Sequence, residues 1–227
     1  MQRRTLLRAV GVGAVGAAAG CLGNSASDGT ATGNGNVVLP EPDRDFESSD
    51  LPYPAWGERV PDVTVPAPLS GGEVPLRDVE TPSLVTFFYS NCQTVCPVLM
   101  ATARNVQAHA ANNDYADAVS IHPITFDPQR DTADRLDAYA GEMNVNADAP
   151  NWQFLRPESK ARAKTVVQEE FGVRFERTHP DDMEMYMFAH TSLTLLVNAD
   201  GYVERAYRSK SPDEQRIIDD LREVRTA

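Results

Sequence analysis

An α/β fold with a central mixed sheet flanked by helices is predicted by three features of the sequence. Apolar runs of strand length alternate with helix-length stretches, the last third carries a hairpin signal, and no internal repeat or glycine-rich phosphate loop points elsewhere. The 227 residues suffice for one domain of ordinary size with its own core, and a second would be cramped.

Residues 74–79 read as a short strand, and regular structure is expected to start near Glu73. Leu84-Val85-Thr86-Phe87-Phe88-Tyr89 is apolar, β-branched and aromatic, the make-up of a buried strand. Pro97 suits the first position of a helix, where its missing N–H has no intrahelical partner, and that helix extends to about Asn112. Ser120 to Phe126 predicts a further strand in which Pro123 requires an irregularity or an exposed donor side. Asp131-Thr132 caps a helix through about Glu142, and another is expected from Pro157 to Phe171, stopped by Gly172. Tyr186 to Phe188 and Leu193 to Val197 alternate or run apolar. Asn198-Ala199-Asp200-Gly201 then turns the chain into Tyr202 to Tyr207, a β-hairpin. A closing helix follows Ser211-Pro212, with Ser211 as its cap and Ile217, Ile218 and Leu221 inward. Strand, helix, strand, helix, hairpin and closing helix, with one helix inserted before the hairpin, is the order of a thioredoxin-like fold.

That domain is assigned to residues 73–227. Ahead of it, residues 37–72 are proline-rich and predict an extended arm wrapping the domain. Residues 21–36 are small and polar, a flexible linker. Residues 1–20 have the layout of an export signal: Arg3-Arg4, then a mildly apolar run from Ala9 to Gly20. That run is about a dozen residues against the roughly 20 needed to span a bilayer. The paired arginines resemble a Tat signal. Ala18-Ala19-Gly20-Cys21 resembles a lipobox, in which the signal is cut before the cysteine and its sulfur receives lipid. Cys21 is thus the expected lipid anchor, and the outer face of the cytoplasmic membrane the expected location. The formal charge of −12, with only three lysines and acidic residues spread along the chain, excludes nucleic acid as a natural partner.

The strongest chemical signal is Cys92-Gln93-Thr94-Val95-Cys96-Pro97, two cysteines at a strand-to-helix junction. With Pro97 as the first helical residue, Cys96 is the cap, and the helix dipole should favour its thiolate. The spacing admits a disulfide or a shared metal and does not choose between them. A static disulfide is the plain structural alternative, although closing so small a loop restrains the unfolded chain little. Of the four histidines, His109 falls mid-helix, His122 precedes a proline in a strand, and His179 sits in an acidic loop sequence. His190, in Ala189-His190-Thr191-Ser192, stands just before the hairpin strand, where a thioredoxin-like fold brings a loop across to the cysteine helix.

Three segments together resemble the Sco/SenC family of copper chaperones: Cys92 to Pro97; Asp127-Pro128-Gln129-Arg130-Asp131-Thr132; and His190-Thr191-Ser192 followed by Asn198-Ala199-Asp200-Gly201. They come in family order over roughly residues 60–225. The resemblance implies that Cys92 and Cys96 supply two thiolates and His190 an imidazole to one copper ion, Cu(I) or Cu(II). Soft thiolates select Cu(I) and imidazole suits either state, so the donor chemistry agrees. The family commonly has Pro-Asp after the first cysteine, where this chain has Gln93-Thr94. Asp127, Arg130 and Asp131 are read as structural, with Asp131-Thr132 starting a helix and Arg130 pairing with a carboxylate or carbonyl.

The implied function is copper delivery to the binuclear copper A centre of a respiratory cytochrome c oxidase, by a metallochaperone and not an enzyme. The alternative is a membrane-tethered thiol-disulfide oxidoreductase that keeps the oxidase cysteines reduced by cycling Cys92 and Cys96. A thiol peroxidase fits less well, since no arginine lies near either cysteine in sequence.

Overall fold

The structure, a computed structural model, describes residues 35–181 and 184–227. The export signal, Cys21 and nearly all of the linker lie outside the described residues. Among the described residues, no helix is long and apolar enough to cross a membrane.

The fold is thioredoxin-like. Its central sheet has four strands in the order β4-β3-β7-β8, where β3 is Ser83–Phe88, β4 Ser120–Thr125, β7 Thr194–Val197 and β8 Val203–Tyr207. The β3–β4 pair is parallel, and β3–β7 and β7–β8 are antiparallel. All six residues of β3 are buried, as its unbroken apolar and β-branched make-up requires of a strand covered on both faces. Helix α1 (Val95–Asn112) packs on β3, β4 and the closing helix α4 (Glu214–Thr226), while α2 (Ala133–Glu142) follows β4.

Pro123 shows how a proline is accommodated in a strand. The N–H groups of Ile121 and Thr125 both leave the main sheet for the carbonyls of Asn151 and Leu155. Pro123, two residues from each, points its missing donor the same way, so residues 151–155 meet β4 through two isolated bridges and not a continuous ladder.

The arm is more ordered than its prolines imply. It contributes strand β1 (Thr64–Pro66), paired antiparallel with β2 (Glu73–Pro75), so regular pairing begins before Glu73. Pro66 closes β1 and interrupts nothing. Val60, Val63, Val65 and Ala67 enter the core, and Gly57, Glu58 and Val60 bond to Val203 and Gly201, covering the outer edge of β8. The buried carboxylate of Glu204 accepts the N–H groups of Val38 (2.9 Å) and Leu39 (2.9 Å), pinning the start of the arm.

Two boundaries and one strand differ from expectation. The inserted helix begins at Lys160, because Ser159 is extended and its hydroxyl accepts from the Arg162 N–H. After four residues, α3 (Lys160–Ala163) widens into a π-helix over Lys164–Glu170. Gly172 ends it with φ 66°, and any Cβ there would strike the Pro52 carbonyl of the arm. The cap of α4 is Asp213 and not Ser211, its carboxylate accepting from the Arg216 N–H. A strand absent from the sequence reading, β5 (Phe175–Thr178), pairs antiparallel with β6 (Met187–His190) as a separate two-stranded sheet.

Candidate metal centre

The chain leaves β3 through Tyr89, Ser90 and Asn91 and re-enters regular structure at Val95, the first residue of α1. Thr94 occupies the cap position but makes no side-chain capping bond. The Cys96 N–H instead donates to Cys92 Sγ at 3.4 Å, and Thr94 Oγ1 lies 3.7 Å from the same sulfur. Cys92 therefore takes the place of a capping oxygen, which corrects the reading of Cys96 as the cap. The helix starts two residues earlier than Pro97 alone suggests, so Cys96 is already inside it and the free N–H groups aim at Cys92.

Both thiols are free and buried. The hydrogen bond from the Cys96 side chain, with others from His190 and the Cys96 and Thr94 backbone, holds the Cys92 thiol far below the usual range. Burial pushes Cys96 the opposite way, reinforced by the charge on Cys92. The two thiols are thus a coupled pair in which Cys92 is favoured as the thiolate and Cys96 as the thiol.

His190 comes from the far side of the site, at the end of β6 and opposite Phe175 of β5. Its Nε2 lies 3.6 Å from Cys96 Sγ. Its Nδ1–H donates to the Thr191 carbonyl at 3.2 Å, which orients the ring with Nε2 toward the sulfurs. Tyr89 and Phe126 flank the ring at 6.0 and 5.1 Å. One ligand atom from each of Cys92, Cys96 and His190 falls within 4.8 Å of the others. Bonds of about 2.3 Å in a trigonal arrangement place donors about 4 Å apart, so these residues can hold a metal with slight contraction.

The remaining histidines lie elsewhere. His109 bonds Tyr115 Oη at 2.6 Å, exposed His179 approaches the Tyr186 ring, and His122 is buried in β4 with its pKa lowered to about 4 by that burial.

Asp127, Arg130 and Asp131 serve structure, though not only as the start of a helix. Thr132 is the cap of α2. Asp131, fully buried, turns back to the thiol loop: it accepts from Ser90 N–H (3.1 Å), Ser90 Oγ (2.5 Å) and Thr125 Oγ1. Arg130 pairs with Asp127 and donates to the Tyr186 carbonyl at 2.8 Å, and the Tyr186 hydroxyl donates to Asp127 at 2.9 Å. One short segment thus grips both halves of the site. Tyr89 adds a second tie, its hydroxyl accepting the Phe188 N–H at 3.3 Å, with burial raising its pKa to about 12. Its place beside Cys92 in the sequence was the available signal for that role.

The SCO1/SenC family model matches residues 72–226. The chain belongs to the SCO1/SenC family. A SCO2-like protein of Rickettsia conorii is 28% identical over 134 residues, 58% of this chain and 61% of the relative, so the alignment spans less than two thirds of that relative's length. Among solved structures, Bradyrhizobium japonicum ScoI with copper bound superposes with a TM-score of 0.56 at 21% identity, over 71% of this chain and 96% of that one. BsSco, described as a member of the Sco family of cytochrome c oxidase assembly proteins and as containing a disulfide switch, gives 0.57 at 22% identity over 77% and 96%. In this SCO1/SenC chain the convergent set of two sulfurs and one imidazole is of the softness that suits copper.

Proposed function

We propose that this protein is a copper carrier that holds the ion through Cys92 Sγ, Cys96 Sγ and His190 Nε2 and delivers it to the copper A centre of a cytochrome c oxidase. The observation that carries this reading is the convergence of the three donor atoms within 4.8 Å, with the imidazole ring oriented by its bond to the Thr191 carbonyl. Two thiolates and one imidazole satisfy Cu(I) while leaving a face open for a client's ligands. The donor set would take the ion as cargo, and its binding displaces the proton on Cys96. Location at the outer face of the cytoplasmic membrane, with a lipid on Cys21, completes the proposal: a tether raises the effective concentration of carrier near a membrane-bound client.

Copper titration of wild type and His190→Ala tests this. Wild type should bind one equivalent, with thiolate-to-copper charge transfer in the absorption spectrum of the Cu(II) form, and His190→Ala should bind far more weakly. Copper loading indifferent to His190 would sink the assignment. A thiol-disulfide oxidoreductase is the second reading, favoured by the adjacent free thiols with one poised as thiolate. It predicts client reduction that survives His190→Ala.

A further inference from the structure

We propose that Met185 provides a second, transient soft-metal site, a thioether at which Cu(I) rests on its way to or from Cys92, Cys96 and His190. This rests on the copper reading above and assigns the route by which the same site is filled and emptied.

Methionines alternate at 183, 185 and 187 just before His190, and these are three of the chain's six. The described ones differ in what their sulfurs can reach. Met100 is fully buried, and Met143 and Met187 pack against the core. Met185 is 45% exposed, one of four exposed large hydrophobic side chains among the described residues. A lone exposed methionine means little; its position decides. Met185 Sδ lies 3.8 Å from Asn91 Nδ2, and Asn91 directly precedes Cys92. Asn91 Oδ1 lies 3.2 Å from the Ser90 hydroxyl, which donates to Asp131. On the other side, the Tyr186 carbonyl is fixed by Arg130 and the Phe188 N–H by Tyr89. The exposed thioether therefore precedes the histidine strand in the chain yet is seated on the thiol loop, against the residue before Cys92.

A thioether is a neutral, soft donor that prefers Cu(I) and needs no deprotonation to bind it. Transfer inward breaks the bond from copper to Met185 sulfur as the bond to Cys92 thiolate forms. Bonding to Cys96 then sends that thiol's proton to water. Copper stays cuprous, so no electron donor or acceptor is required.

The test uses full-length reduced protein with ¹³C-methyl methionine, titrated with Ag(I) as a diamagnetic stand-in for Cu(I). In Cys92→Ser/Cys96→Ser, Ag(I) should shift the Met185 methyl, identified by its loss in Met185→Leu, while Met100 and Met143 stay still. Wild type preloaded with one equivalent should give the same shift with the second, which keeps the test independent of how well the double variant folds. Loading of wild type from a Cu(I) chelator should slow at least threefold in Met185→Leu. A motionless Met185 methyl, or an unchanged loading rate, overturns the proposal. Failure of the copper reading looks different: wild type would then take up no stoichiometric Cu(I) at the thiols, whatever Met185 does.

Discussion

The two walls of the metal centre are built differently. The thiol loop is an extension of the central sheet: it follows the fully buried β3, ends in α1, and is anchored from beneath by Asp131, which takes bonds from Ser90 and Thr125. The histidine wall is the β5–β6 hairpin, which shares no ladder with the central sheet and has its residues at most half-buried. It is held through side chains, by Arg130 on the Tyr186 carbonyl and Tyr89 on the Phe188 N–H. The contrast teaches that the sulfurs are prepositioned by the core, whereas the imidazole is delivered by a smaller unit held by a few polar ties and by Phe175 and Phe188 against Phe126. Such a unit can open at lower cost than the core beneath it, which suits the proposed release of the ion.

The comparison can be broken or sharpened by experiment. Cys92→Ser or Cys96→Ser should abolish stoichiometric copper binding, measured by competition against a Cu(I) chelator, because one remaining thiolate and an imidazole are a poor set for that ion. Asp131→Ala should lower folding stability by about 3 kcal/mol, read by urea denaturation, since buried donors on Ser90 and Thr125 lose their acceptor. Arg130→Ala, by contrast, should reduce copper affinity about tenfold while changing the reaction of Cys92 with iodoacetamide at about pH 8 little, because it loosens the histidine wall and leaves in place the Cys96 bond that does most to hold the Cys92 thiol low. Equal damage to both readouts would refute the idea of two separately held walls.

Acid and base give smaller, graded effects. Because Cys92 is held below the usual thiol range, its alkylation should stay nearly constant from about pH 8 down to about pH 5, where an ordinary thiol slows roughly tenfold per unit. Cys96 is shifted upward and keeps its proton over that window, so copper binding should release one proton there. Affinity should then rise about tenfold per pH unit, checked by titration at several pH values. A flat profile would mean that Cys96 is already ionised.

Much of this was readable in the sequence because it depends on local pattern. The apolar run at 84–89 could only be a buried strand, Thr132 is a capping residue with its helix in the following ten, and Gly172 stops a helix where only glycine tolerates the turn. The element order made the fold class legible, and the three short segments made the family legible, with Cys92, Cys96 and His190 among their residues. Strand β5 was not visible, since Phe175-Glu176-Arg177-Thr178 is short, half-exposed and defined only by the partner it meets.

The chain's one-dimensional order thus determined which residues could cap, turn, bury or bind, since those properties belong to a side chain and its near neighbours. Which sulfur is favoured as the thiolate, and that Asp131 faces Ser90 while Arg130 faces Tyr186, depended on segments 40 to nearly 100 residues apart coming within bonding distance. Hydrogen bonds and charges act over a few ångströms of space, and no spacing along the chain encodes that distance until the core has closed.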